Sequence, residues 1–177
     1  MGVFSGKKIL LGISGGIAAY KTPILVRQLK SKGAEVKIVI TPSAKDFVTP
    51  LTLSTLSNHP VYSSFSEQFQ DNPVWNDHVA LGKWADLFII APATTNTISA
   101  MVHAKCNNLL IAAYLSCTCK VYSAPAMDLD MYEQPANQKN LNELNRIGKK
   151  VLPVGEGFLA SGLHGKGRML DPEEIIR

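Results

Sequence analysis

The sequence predicts an α/β fold, a doubly wound, mostly parallel sheet with helices on both faces. Three observations carry this. Short, nearly continuous apolar runs such as Lys8–Ile13 and Asp86–Ala91 read as strands buried on both faces. Stretches with apolar residues at helical spacing alternate with them. Small or polar residues cluster at the carboxyl ends of the runs, where open α/β sheets bind ligands.

In chain order, the run at Lys8–Ile13 ends in Gly12-Ile13-Ser14-Gly15-Gly16. Ile17, Ala18, Ile24, Leu25 and Leu29 then recur at helical spacing up to Gly33, with Pro23 expected to loosen or kink the helix. Glu35–Ile40 reads as a second strand closed by Thr41-Pro42-Ser43, which completes a β-α-β unit. Residues 58–80 are the least periodic, an excursion suited to a site or an interface. Asp86–Ala91 is a strand expected to stop at Pro92. Helices are expected from Thr95 to Ala104, Asn107 to Ser116 and Pro135 to Ile147, with strands at Lys120–Ala124 and Lys149–Pro153. The alternation is of the Rossmann or flavodoxin-like kind. Gly155–Arg168 holds glycines and little apolar content, and reads as a mobile flap. Asp171-Pro172-Glu173-Glu174 is a helix start, yet the sequence ends at Arg177, which reads as a domain cut from a longer chain.

Composition bounds the partners. The chain has 177 residues, 46% hydrophobic and 18% charged, which is ordinary for one globular domain. The net charge of +4 comes from scattered residues, so nucleic acid is not indicated. No apolar run approaches the ~18 residues of a membrane span, and no signal-peptide core precedes Lys7-Lys8. Cys106, Cys117 and Cys119 lack zinc-ligand spacing and read as buried thiols on a strand edge of a cytoplasmic protein, with no metal expected.

The candidate site begins at Ser14, Gly15 and Gly16. Small residues there let a backbone approach a phosphate, and the helix start offers free N–H groups; a tight turn that binds nothing fits the same residues equally well. The dinucleotide pattern is not met, because the second strand ends in the hydroxyls of Thr41 and Ser43 rather than a carboxylate, so a mononucleotide suits it better. Thr94-Thr95-Asn96-Thr97 supplies more polar groups than one helix cap requires. Asp128 leaves a strand through Pro125, and His78 stands in the irregular excursion.

Together and in this order, these pieces resemble the homo-oligomeric flavin-containing cysteine decarboxylases, the phosphopantothenoylcysteine decarboxylases of coenzyme A biosynthesis among them. The resemblance runs from Ile13-Ser14-Gly15-Gly16-Ile17-Ala18-Ala19-Tyr20-Lys21, through Trp84-Ala85-Asp86-Leu87, Ala91–Thr97 and Pro125-Ala126-Met127 with Met131, to Gly165-Lys166-Gly167-Arg168-Met169. It implies an FMN site at Ser14, Gly15, Gly16, Thr41, Ser43, Phe47, Thr94, Thr95, Asn96, Thr97 and Ala126. It implies substrate contacts at Asp128, Met131 and Arg168, and a catalytic base at His78. The implied reaction converts 4'-phosphopantothenoylcysteine to 4'-phosphopantetheine. The thiol-bearing carbon is oxidised to a thioaldehyde, carbon dioxide leaves, and the enethiol is reduced again.

Further implications are a homotrimer or an assembly of trimers with the flavin at a subunit interface, crossed by residues 58–80 and 155–168. A fused phosphopantothenate–cysteine ligase domain is another. Two motifs depart from the family, at Asp128 and Tyr132, which stand for an Asn and a Trp, and at Ser161. Asp128 stands for an Asn; an ionised Asp only accepts hydrogen bonds, so the substrate carboxylate would require a proton on Asp128 or its amide N–H. Ser161 stands for the Cys that donates the last proton, and a hydroxyl is a far weaker acid than a thiol of pKa ~8.5. Relatives that stop at the enethiol as peptidyl-cysteine oxidative decarboxylases, or that serve as non-enzymatic flavin-binding regulatory subunits, are the alternatives these departures keep open.

Overall fold

The computed structural model describes residues 2–69 and 72–177; residues 70 and 71 of the irregular excursion lie outside the described residues. β1 (Lys8–Ile13) leads through a short 3-10 turn at Ile17–Lys21 into α1 (Thr22–Ser31). Pro23 therefore sits in the first turn of α1 and does not kink it, because a residue there has no intrahelical N–H bond to lose. β2 (Glu35–Ile40) follows, then α2 (Pro50–Ser57), whose first turn is capped by Thr49 Oγ1 accepting from Thr52 N–H.

The excursion contains β3 (Val61–Tyr62) and an antiparallel pair, β4 (Ser66–Phe69) and β5 (Asn72–Trp75). It closes with α3 (His78–Trp84), where Asp77 Oδ1 accepts from the N–H groups of Val79 and Ala80. β6 (Leu87–Ala93) runs through Pro92 instead of stopping there. The register shifts between Ile90 and Ala93 at a cis Ala91–Pro92 bond, an irregularity at which a residue without an N–H costs the ladder nothing.

The second half comprises α4 (Thr95–Val102), α5 (Leu109–Ser116), β7 (Lys120–Pro125), α6 (Leu129–Glu133), α7 (Pro135–Arg146) and β8 (Lys150–Val151). The glycine-rich segment folds as a hairpin, β9 (Gly155–Phe158) with β10 (His164–Arg168), before α8 (Pro172–Ile176).

β3-β2-β1-β6-β7-β8 form one parallel sheet. Its order reverses between β1 and β6, the switch point at which such sheets open a crevice. Alternate residues of each strand feed opposite layers. Ile9, Leu11, Ile13, Val36, Ile38, Ile40, Ile89 and Ala91 pack with α1, Leu53 of α2 and Ile175 and Ile176 of α8. Leu10, Val39, Phe88 and Ile90 pack with α3, α4, α5 and α7 on the other face. Two covered faces explain why the strands read as unbroken apolar runs. No helix among the described residues is long and apolar enough to cross a membrane.

Candidate functional site

The carboxyl ends of β1, β6 and β7 frame a cavity of about 700 Å³, within the range of small-molecule and cofactor sites. One wall is the β1–α1 connection, with Gly15, Gly16 and Lys21. A second is Thr94, Thr95 and Asn96 at the start of α4. Ala126, Met127, Asp128 and Met131 come from the β7–α6 turn, and the β9–β10 hairpin adds Phe158, Leu159, Ala160, Ser161 and Arg168. Four separated stretches of chain thus converge on the switch point.

The framing is held by buried polar contacts. Ser14 is 1% exposed; its Oγ donates to the Pro92 carbonyl at 2.6 Å and accepts from Thr94 N–H at 3.0 Å. Gly15 packs so closely that a Cβ would lie 2.2 Å from Ser43 Oγ, so no other residue fits without displacing that loop. Thr41 and Ser43 are themselves 3.2 Å apart through their hydroxyls. Thr95 Oγ1 bonds Asn137 Oδ1 of α7, and Thr94 Oγ1 donates to the buried Thr97.

The hairpin is docked by its backbone. Met127 N–H donates to the Gly167 carbonyl at 3.0 Å, and a Cβ at Gly167 would sit 2.2 Å from the Met127 carbonyl oxygen, at a φ of +131°. Across the cavity mouth, Ser161 Oγ donates to Asp128 Oδ1 at 2.7 Å. The same Asp128 oxygen accepts Leu129 N–H at 2.9 Å, capping α6.

Lys21 has its ammonium almost wholly buried. Nζ donates to Asp171 Oδ1 at 2.7 Å and to the Met169 carbonyl at 3.0 Å, which ties the chain end to the first helix. That ammonium, assisted by Arg168 at 3.7 Å, holds the Asp171 carboxyl below its usual range.

Of the residues singled out in the sequence, Gly15, Gly16, Thr94, Thr95, Asn96, Ala126, Asp128, Met131, Ser161 and Arg168 line this one cavity. Ser14, Thr41 and Thr97 are buried behind its wall, while Ser43 is exposed and Phe47 is 43% exposed on the loop beyond. His78 does not line it. The ring packs against Phe65 and Trp75 with centroids 6.0 and 6.1 Å away, on the face covered by α3, and its Nδ1 is buried without a hydrogen-bond partner. Lys21 and Phe158 were missed. A lysine within a helical stretch reads as solvated surface, and its partners lie 148 and 150 residues away.

The whole described fold matches one family model. The Flavoprotein model covers residues 4–177. The chain belongs to the Flavoprotein family. It is 43% identical over 176 residues to the Coenzyme A biosynthesis bifunctional protein CoaBC of Vibrio vulnificus strain YJ016, covering 99% of this chain and 43% of that protein. A cysteine/cysteine sulfinic acid decarboxylase from an unknown prokaryotic organism is 52% identical over 130 residues, 73% of this chain and 36% of the other. The chain thus spans less than half the length of these relatives.

Among solved structures, this Flavoprotein domain superposes with a TM-score of 0.83 on a PPC decarboxylase mutant, cysteine to serine, complexed with pantothenoylaminoethenethiol. Identity is 31%, over 96% of this chain and 93% of that one. The FMN binding protein AtHal3 gives 0.79, with 29% identity over 96% and 92% of the two chains.

Proposed function

We propose that the chain binds FMN in this cavity and decarboxylates 4'-phosphopantothenoylcysteine to 4'-phosphopantetheine, a step of coenzyme A biosynthesis. The observation that carries the reading is the meeting of the Gly15–Gly16 turn, the Thr94–Asn96 cluster and the Asp128–Ser161 contact around one cavity at the sheet's switch point. Similarity to the bifunctional coenzyme A protein and to the PPC decarboxylase bound to an enethiol supports it.

The residues present fit a mononucleotide. Gly15 leaves no room for a side chain, so backbone forms the wall there, and β2 ends in the hydroxyls of Thr41 and Ser43, with no carboxylate to hold a second ribose. Gly15, Gly16, Thr94, Thr95, Asn96 and Ala126 would hold FMN, with Ser14, Thr41, Ser43, Phe47 and Thr97 setting their positions. Bound FMN supplies a two-electron acceptor that is restored within the same turnover. Asp128, Met131 and Arg168 orient the substrate, Arg168 as a fixed cation for a phosphate or carboxylate. The β9–β10 hairpin excludes water from the reacting carbons with Phe158 and Leu159, and Ser161 delivers a proton.

The base is His78 of a second copy. Within one protomer His78 is turned away from the cavity, among the exposed Val74, Trp75 and Val79. The cavity mouth carries its own exposed apolar residues, Ile17 and Tyr20, with Ile24 one turn further on. Joining these two patches in a homotrimer, or an assembly of trimers, buries both and brings an imidazole to the substrate thiol. A fused phosphopantothenate–cysteine ligase domain and a cytoplasmic setting complete the reading.

The test is mass spectrometry of the product after FMN-loaded protein meets 4'-phosphopantothenoylcysteine. Loss of carbon dioxide alone is expected. An unchanged substrate mass would refute the activity.

A further inference from the structure

Asp128 and Ser161 come from different elements, the β7–α6 turn and the tip of the β9–β10 hairpin, and their side chains meet at 2.7 Å on the cavity wall. Ser161 Oγ also accepts Leu163 N–H at 3.3 Å, so the hydroxyl is oriented from both sides. Both positions depart from the family that the sequence resembles.

Resting on the decarboxylase reading above, the chemistry requires an acid. Replacing a carboxylate by hydrogen consumes one proton per turnover, and an aliphatic hydroxyl gives up a proton only as it receives another from a stronger acid. Asp128 is the ionisable group of the wall that hydrogen-bonds the Ser161 hydroxyl, and Tyr20, Lys21 and Arg168 do not. The Lys21 ammonium is engaged by Asp171 and the Met169 carbonyl, and an arginine such as Arg168 does not deprotonate. A relative with serine introduced for cysteine is complexed with an enethiol, the unsaturated product.

The geometry points to Asp128 as the acid and Ser161 as its relay, one proton-delivery pair standing in for a thiol. The carbon that has lost carbon dioxide takes the proton. Once Asp128 takes a proton from solvent, the contact reverses and its O–H donates to Ser161 Oγ, freeing the Ser161 hydroxyl to face the substrate. The Ser161 O–H bond then breaks as the C–H bond forms, and the Asp128 O–H bond breaks as the Ser161 hydroxyl is restored. Bound FMN would supply the two electrons that complete the saturation, as the acceptor restored within the same turnover. Ser161 is the catalytic residue of this step; Asp128 acts through it. Replacing Asp128 by Asn keeps its shape and removes its acidity.

The experiment follows flavin absorbance and product mass in the FMN-loaded protein. The wild type bleaches, recovers, and yields a product lighter by carbon dioxide alone. Asp128→Asn and Ser161→Ala each bleach, then recover slower by about 100-fold or more, the usual scale of a lost general acid, with a product lighter by carbon dioxide and two hydrogens. The double variant Asp128→Asn/Ser161→Cys recovers fully, because a thiol needs no partner.

A readout independent of turnover is the ¹³C carboxyl resonance of Asp128 in aspartate-labelled protein, which moves when Ser161 becomes Ala. Recovery of Asp128→Asn at the wild-type rate, or an unmoved resonance, overturns the pair and leaves the decarboxylase standing. An Asp128→Asn protein that never bleaches places Asp128 before decarboxylation and also overturns it. A wild type that neither bleaches nor releases carbon dioxide overturns both.

Discussion

Ser14 and Thr94, eighty residues apart, are joined where the two central strands of the sheet end: Thr94 N–H donates to Ser14 Oγ at 3.0 Å while that hydroxyl donates to the Pro92 carbonyl at 2.6 Å. One side chain therefore satisfies an acceptor of β6 and a donor at the start of α4 and fixes the width of the crevice between β1 and β6. Ser14→Ala leaves the Thr94 N–H without its partner and the Pro92 carbonyl with only the Ser14 N–H at 3.3 Å, at a cost of about 1–3 kcal/mol. A lower urea midpoint together with reduced flavin content after purification is the expected outcome. Loss of stability with undiminished flavin retention would separate the joint from the cofactor wall.

Gly15 and Gly16 are adjacent yet differ sharply in the space around them. A Cβ at Gly15 would lie 2.2 Å from Ser43 Oγ and 3.0 Å from the Ser43 backbone carbon, whereas at Gly16 the single neighbour is Thr94 Cγ2 at 3.2 Å. Gly15→Ala is expected to displace the Thr41–Ser43 loop and abolish flavin binding, and Gly16→Ala to weaken it by about tenfold or less, since a methyl group can give by a few tenths of an ångström. Fluorescence titration of the flavin-free variants with FMN measures both. Equal losses would show that the two glycines serve the turn and not the wall.

The acid limb of stability is set in part by Asp171. The Lys21 ammonium beside it holds its carboxyl below the ordinary value, so the folded protein binds this proton less readily than the unfolded chain. The contribution is therefore complete above the unfolded value near ~3.9 and is lost as pH falls through the lower folded value. Because the Asp171 side chain is 49% exposed, its worth is about 1 kcal/mol or less. Asp171→Asn should cost that amount at neutral pH and flatten the decline of the thermal midpoint in acid. A decline as steep as the wild type's would assign the acid limb to other carboxylates.

Which features the sequence discloses follows from how far apart their causes lie. β1, β2, β6 and β7 are legible because helices cover both sheet faces, so each strand is an unbroken apolar run with its own local signature. α2 and α3 go unread because their starts depend on the Thr49 and Asp77 caps rather than on a periodic face. The β9–β10 hairpin is legible only as glycine content. Gly165 and Gly167 are small because β10 lies on Leu129 and Met127, contacts between segments some forty residues apart. The glycine turn, the threonine cluster and Asp128, which line one cavity, were legible because each sits at a strand end with its own local pattern. Lys21 was not, since only the fold brings Met169 and Asp171 to it.

His78 gives the sharpest test of whether the site is shared between copies. Its ring sits with Phe65 and Trp75, outside the cavity lined by Gly15 and Ser161 of the same chain. If the imidazole acts on a neighbour's substrate, His78→Ala spoils the base it offers and leaves its own cavity intact, while Gly15→Ala spoils the cavity and leaves its base intact. Each variant alone is inactive. Co-expressed under separate tags, they form mixed trimers in which a cavity of the His78→Ala chain meets an intact His78, so that about a third of the sites in doubly tagged trimers are restored. Activity measured on doubly tagged material should approach that fraction. Mixed oligomers that form and stay inactive would assign His78 to its own chain, requiring α3 to move before the base can reach the substrate.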